Sequence, residues 1–152
     1  MGRLSISLLP LLFLVASPTF AESYDPETPL LYKQLTSGFG PEGQISTLTC
    51  QIFSDRFKMV KRGPGRHLAI TMKALSVPPE VLTKIKEASE GPLSFKKAPA
   101  DIGHRVYAAN LIGPLETQTV DLGRTIDGKH ISTNSHPSAA LLKKYIDRTC
   151  RD

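Results

Sequence analysis

Few side chains in this 152-residue chain could carry out chemistry, and its two cysteines come first. Cys50 and Cys150 stand 100 positions apart with no third cysteine between or beyond them. As a free thiolate, Cys50 could act as a nucleophile if one of His67, His104, His130 or His136 supplied a base. In an oxidising compartment the same two residues instead form a disulfide, and a buried pair of that kind is chemically inert.

The histidines offer a second possibility. Asp127, His130 and His136 carry the donor types that bind zinc or share a proton, which would suit a small hydrolase or a metal-binding protein. Their spacing matches no established metal pattern, and His136 directly before Pro137 marks a helix entrance. No serine lies in a Gly-x-Ser-x-Gly elbow. The glycine-rich run at 38–43 lacks the Lys-Ser/Thr that completes a phosphate-cradling loop, so it reads as a linker. The sequence therefore implies a protein that is not an enzyme and calls for no cofactor.

Charge gives the clearest functional signal. Residues 22–42 carry Lys33 against four acids, whereas residues 43–79 carry Arg56, Lys58, Lys61, Arg62, Arg66 and Lys73 against Asp55 alone. Clustered cations raise the local potential and speed association with anions. Arg56, Lys58, Lys61, Arg62 and Arg66, gathered beside a Gly-Pro-Gly turn at 63–65, are thus the candidate binding residues for an acidic protein or an anionic envelope component. The competing reading is a solvated tip whose cations keep an edge strand from pairing with other chains. A protease inhibitor presenting Lys61-Arg62-Gly63 as a basic reactive loop is a further alternative. Specific nucleic-acid binding is disfavoured, because tryptophan is absent and other aromatics are few, leaving little platform for base stacking.

The first 21 residues predict the compartment. Arg3 precedes an apolar run over 4–16, and Ser17-Pro18-Thr19-Phe20-Ala21 supplies a helix breaker with small residues before a cleavage point after Ala21. The run is shorter than the ~20 residues a membrane helix needs, and no later segment is apolar enough to span. Removing the leader leaves 18 Lys and Arg against 14 Asp and Glu, a net charge of +4. A periplasmic or extracellular address follows, and it makes the Cys50–Cys150 disulfide the expected state.

Among the elements that must position these residues, 22–43 reads as a flexible N-terminal arm docking through Leu30, Leu31, Tyr32 and Leu35. Residues 44–152 then form one domain. Period-two alternation places Leu48, Cys50 and Ile52, then Phe57 and Met59, then Leu68, Ile70, Met72 and Ala74 on the buried sides of successive strands. Segments 105–112 and 117–122 read as further strands, and Asp127-Gly128 as a two-residue hairpin turn.

Two helices complete the chain. Pro78-Pro79-Glu80 opens one with Val81, Leu82, Ile85 and Ala88 at helical spacing, stopped by Gly91-Pro92. The other runs from Pro137 to 149 with Leu141, Leu142, Tyr145 and Ile146 inward, and Cys150 extends its stripe toward the core. The predicted fold class is α+β: an antiparallel sheet of about five or six strands, two helices packed on one face, and one disulfide.

Overall fold

The computed structural model describes residues 28–37, 45–63, 67–99, 103–126 and 128–151. Residues 1–27, the glycine-rich run at 38–43, the turn residues Pro64, Gly65 and Arg66, and Asp127 lie outside the described residues. Among the described residues the class is α+β as predicted, with two helices, one disulfide and an antiparallel sheet of eight strands where five or six were expected.

In chain order the strands are β1 (Leu31–Ser37), β2 (Ser46–Ile52), β3 (Arg56–Arg62) and β4 (Leu68–Ala74). Helix α1 (Glu80–Ser89) follows, then β5 (Leu93–Lys97), β6 (His104–Ile112), β7 (Thr117–Ile126), β8 (His130–Asn134) and α2 (Pro137–Thr149). Across the sheet the order is β4-β3-β2-β1-β6-β7-β8-β5, every neighbouring pair antiparallel. A β-meander of four strands is thus joined through β1 to a second block, and β1 holds the seam.

That placement corrects the arm reading for residues 31–37, while 22–27 and 38–43 lie outside the described residues. Residues 31–37 pair along β2 on one side and β6 on the other, in the middle of the sheet. Leu31 and Lys33 face inward while Tyr32 and Gln34 alternate with them, so the segment has strand periodicity, but a charged residue occupies a buried position.

Paired residues of an antiparallel sheet share a face, so the register traces rows across it. One row runs Phe57, Ile52, Leu31, Ala109, Val120, all buried. It forms a single core with Val81, Ile85 and Ala88 of α1 and Ala139, Leu142 and Ile146 of α2. The next row is Met59, Cys50, Lys33, Tyr107, Gly123. A register shift between Tyr107 and Ala108 inserts Leu122 as an extra residue, and its fully buried side chain joins the core.

The helices begin and end where side-chain chemistry dictates. α1 follows Pro78 and Pro79, whose ring fixes a helical φ at −56°. α2 has His136 as N-cap, its Nδ1 accepting from the Ser138 N–H, with Pro137 at the first helical position. Leu141, placed inward by the sequence stripe, is exposed; Ser138 and Ala139 are buried in the α1–α2 contact instead. There Ser138 Oγ donates to Glu87, which also accepts from Lys84 Nζ at 2.8 Å. These two hydrogen bonds hold the Glu87 carboxyl below its usual range, and the interhelical seam is charged at neutral pH. Gly91 is required beside this seam, because a Cβ there would lie 2.3 Å from Asn134 Oδ1 and 2.6 Å from His136 Cβ.

Candidate functional site

The basic strand β3 is held by β2 on one side and β4 on the other. Phe57 and Met59 face the helices, so Arg56, Lys58, Val60 and Arg62 project from the opposite, open face. Lys61 shares the face of Met59, in a row with Leu48 and Ala69. The candidate cations therefore divide: Arg56, Lys58 and Arg62 lie together, Lys61 is across the sheet, and Arg66 is outside the described residues. Arg56 is tied locally, donating to Asp55 at 3.0 Å and stacking 4.5 Å from the Phe53 ring centroid.

β4 reverses its predicted orientation. Met72 pairs with Lys58, Ile70 with Val60 and Leu68 with Arg62, so Leu68, Ile70 and Met72 lie on the open face and are 55%, 58% and 57% exposed. The physical reason is phase. Alternation states which residues share a face, and the buried row of Phe57 and Met59 continues into β4 through Lys73 and Thr71. The helices make their main contacts with β6, β7 and β1, nearer the other half of the sheet. The open face consequently changes character strand by strand: Leu68, Ile70 and Met72 on β4, then Lys58, Val60 and Arg62 on β3, then Thr47, Thr49 and Gln51 on β2. An apolar strip bordered by cations suits a partner that is itself both apolar and acidic.

The protease-inhibitor reading meets a different geometry from the loop it requires. Lys61 and Arg62 sit within β3, each paired on both sides, and Gly63 N–H donates to His67 O at 2.9 Å. The histidines are dispersed. His104 starts β6, His130 starts β8, and His136 lies beyond the other end of that strand, separated by four strand steps of about 3.3 Å each and then the turn into α2. Among the described residues no three His, Cys, Asp or Glu side chains are gathered where they could hold a metal ion.

A second polar centre escaped the sequence. Lys33, in the middle of β1 and only 7% exposed, donates from Nζ to Asp147 Oδ1 of α2 at 2.6 Å. Tyr107 donates to the same oxygen at 2.9 Å, and its ring centroid lies 5.6 Å from Lys33 Nζ. Beside this centre a cleft of about 280 Å³ is lined by Arg105, Tyr107, Gly123, Arg124 and Lys143, among others. Gly123, which lines it, takes φ 154°, a conformation that side-chain-bearing residues rarely adopt, while a Cβ there would make only ordinary contact with Ser132 O at 3.4 Å and Lys143 Nζ at 3.6 Å. The only cue in the sequence was a lysine at an inward-phased position, since its partner is 114 residues away.

Tyr107 is not poised as a base or nucleophile. Burial first, and then its hydrogen bond to the Asp147 carboxylate, push its ionisation up to about 12. Because the folded value exceeds the ordinary value near 10, the protonated hydroxyl is favoured in the native state. Its stabilising contribution is complete below pH ~10 and fades as pH rises through ~12. Ultraviolet titration of tyrosinate absorbance will therefore show a step near pH 12 that Tyr107→Phe removes, apart from the smaller rise that burial gives Tyr32. Retention of that late step in the variant would refute the assignment.

The cysteine prediction is met in the fold. Cys50, on the inner face of β2, and Cys150, at the C-cap of α2, form a disulfide with Cα atoms 6.2 Å apart, within the ordinary range for such a bond. No free cysteine occurs among the described residues, so a thiol nucleophile has no place here. No helix among them is long and apolar enough to cross a membrane. Comparison with protein-family models, curated proteins and solved structures finds no match for the chain.

Proposed function

We propose that the mature chain is an exported, non-enzymatic binding module whose open β3–β4 face engages an acidic partner protein. The observation that carries this reading is the juxtaposition of Lys58 and Arg62 with the exposed Leu68, Ile70 and Met72, each cation paired directly with an apolar neighbour. Exposed apolar side chains on a soluble domain mark contact surfaces, and a cationic border selects the sign of the partner and accelerates encounter. Export, with cleavage after Ala21, belongs to the same proposal and is supported by the leader pattern and by the disulfide.

The test is the affinity of the mature protein for polyglutamate, as a plain acidic polypeptide, over a salt series. Lys58→Ser/Arg62→Ser is expected to weaken it about tenfold at low salt and to flatten the salt dependence, with the melting temperature preserved. Equal affinity in the double variant, or binding indifferent to salt, would contradict the proposal.

A further inference from the structure

The two edges of the sheet are finished differently. β5 is short, at five residues, and carries Lys96 and Lys97 in succession, a common means of discouraging strand pairing. β4 has seven residues in unbroken register with β3, no proline, no bulge and one charge, Lys73. Among the described residues no strand pairs with its outer side.

Which groups are left open follows from the ladder. Leu75 N–H donates to Asp55 O and Gly63 N–H to His67 O, so the hydrogen-bonded pairs of β3 and β4 fall on odd-numbered residues. Ala69, Thr71 and Lys73 thus direct their N–H and C=O groups toward β3. Leu68, Ile70, Met72 and Ala74 direct theirs away from the sheet. The same residues place exposed apolar side chains on the open face, where Lys58 and Arg62 stand one strand further in. Backbone donors, apolar contacts and cations are therefore aligned along one edge.

We infer that β4 is a strand-addition site for an extended, alternately acidic and apolar segment of the partner protein. This rests on the binding role proposed above and specifies how the partner is held. Such a strand would continue the ladder through the outward groups of Leu68, Ile70 and Met72. With its acidic side chains opposite Leu68, Ile70 and Met72 on the open face, its carboxylates would lie two strand spacings, about 10 Å, from the backbone of Arg62 and Lys58, within the combined reach of the long side chains, and its apolar side chains would fall on the other face beside Ala69, Thr71 and Lys73. Charge selects this occupant over a second copy of the chain. Residues 55–62 and 68–74 carry five cations against Asp55, and a self-paired sheet would bring two such ribbons together.

The experiment uses the mature protein and a blocked peptide of alternating valine and glutamate matching the seven residues of β4. Ile70→Pro removes an outward N–H without touching the β3–β4 ladder, a position at which an edge strand tolerates proline. Binding of the peptide is expected to fall about tenfold in Ile70→Pro, and a peptide N-methylated at alternate residues is expected to fail with the unmodified protein. A valine–lysine peptide is expected not to bind. Amide exchange in the unmodified protein gives a readout independent of the variant's folding: the peptide should slow Ile70 and Met72 selectively, while Ala69, Thr71 and Lys73 are already protected.

Peptide binding unaffected by both Ile70→Pro and N-methylation would overturn strand addition. If polyglutamate binding still depended on Lys58 and Arg62, the broader binding role would survive that result. Self-association abolished by Ile70→Pro would identify a second copy as the occupant and overturn the inference. Binding to anionic vesicles, with none to the peptide, would overturn it in favour of a membrane surface.

Discussion

Breaking the Cys50–Cys150 bond is expected to lower the melting temperature by about 15 °C and to loosen the C-terminal turns of α2 first. The bridge closes a loop of 100 residues, which in the chain-entropy model corresponds to about 4.7 kcal/mol. For a domain of this size each kcal/mol shifts the midpoint by roughly 3–4 °C. The bond lies at the boundary between the last helix and the sheet: Cys50 occupies the row next to the core row, and Cys150 caps the helix one turn after Ile146. Reduction removes the covalent tie and leaves Ile146 and the Lys33–Asp147 contact to hold that end. Calorimetry of Cys50→Ala/Cys150→Ala, with amide exchange along α2, measures both effects. An unchanged midpoint, or uniform exchange across the domain, would show that the bridge does not clamp the helix.

Asp147→Ala is expected to cost about 2 kcal/mol, whereas adding Lys33→Met to it should recover most of the loss. Removing one partner of a fully buried ion pair costs ~3–5 kcal/mol because the other charge is left uncompensated. Here the Lys33 side chain is 9% exposed but that of Asp147 is 45% exposed, and water screening of the open partner reduces the figure. Deleting Asp147 leaves Lys33, paired across the ladder with Cys50 and Tyr107, without its ion-pair partner, and the Tyr107 ring centroid lies 5.6 Å from its Nζ. Methionine at position 33 supplies similar volume without charge, and an apolar replacement of such a pair is often neutral. Denaturant melts of the two single variants and the double variant yield the coupling directly. Additive losses would show that Lys33 and Asp147 act independently.

The fold was legible where local chemistry is strong. α2 spans the predicted Pro137 to Thr149 because a proline start, a capping His136 and a four-residue apolar step all coincide. α1 was equally plain between Pro79 and Gly91. The disulfide followed from two inward phases on separate elements. β1 was obscured because Lys33 interrupts its inward side and prolines and glycines flank it; its ion pair with Asp147 is a tertiary compensation invisible from neighbours in sequence. β5 has only five residues, and the Leu93–Phe95 alternation within it is too brief to define a strand.

The candidate site was legible as charge but not as surface. Arg56, Lys58 and Arg62 share a face by strand periodicity, and Lys61 falls on the other by the same rule. The apolar half of the surface was assigned to the core, because the period of β4 is correct while its phase depends on which face the helices cover. Only the register with Phe57 and Met59 turns Leu68, Ile70 and Met72 outward. A cluster that composition presents as purely cationic is thereby an amphipathic edge.

Residue-resolved amide shifts of the labelled protein, titrated with polyglutamate, test the central claim most directly. The account predicts salt-sensitive perturbations confined to Lys58, Val60, Arg62 and the Leu68–Ala74 strand. Perturbations centred instead on Arg105, Tyr107 and Lys143 around the cleft beside α2, with β3 and β4 unmoved, would contradict it.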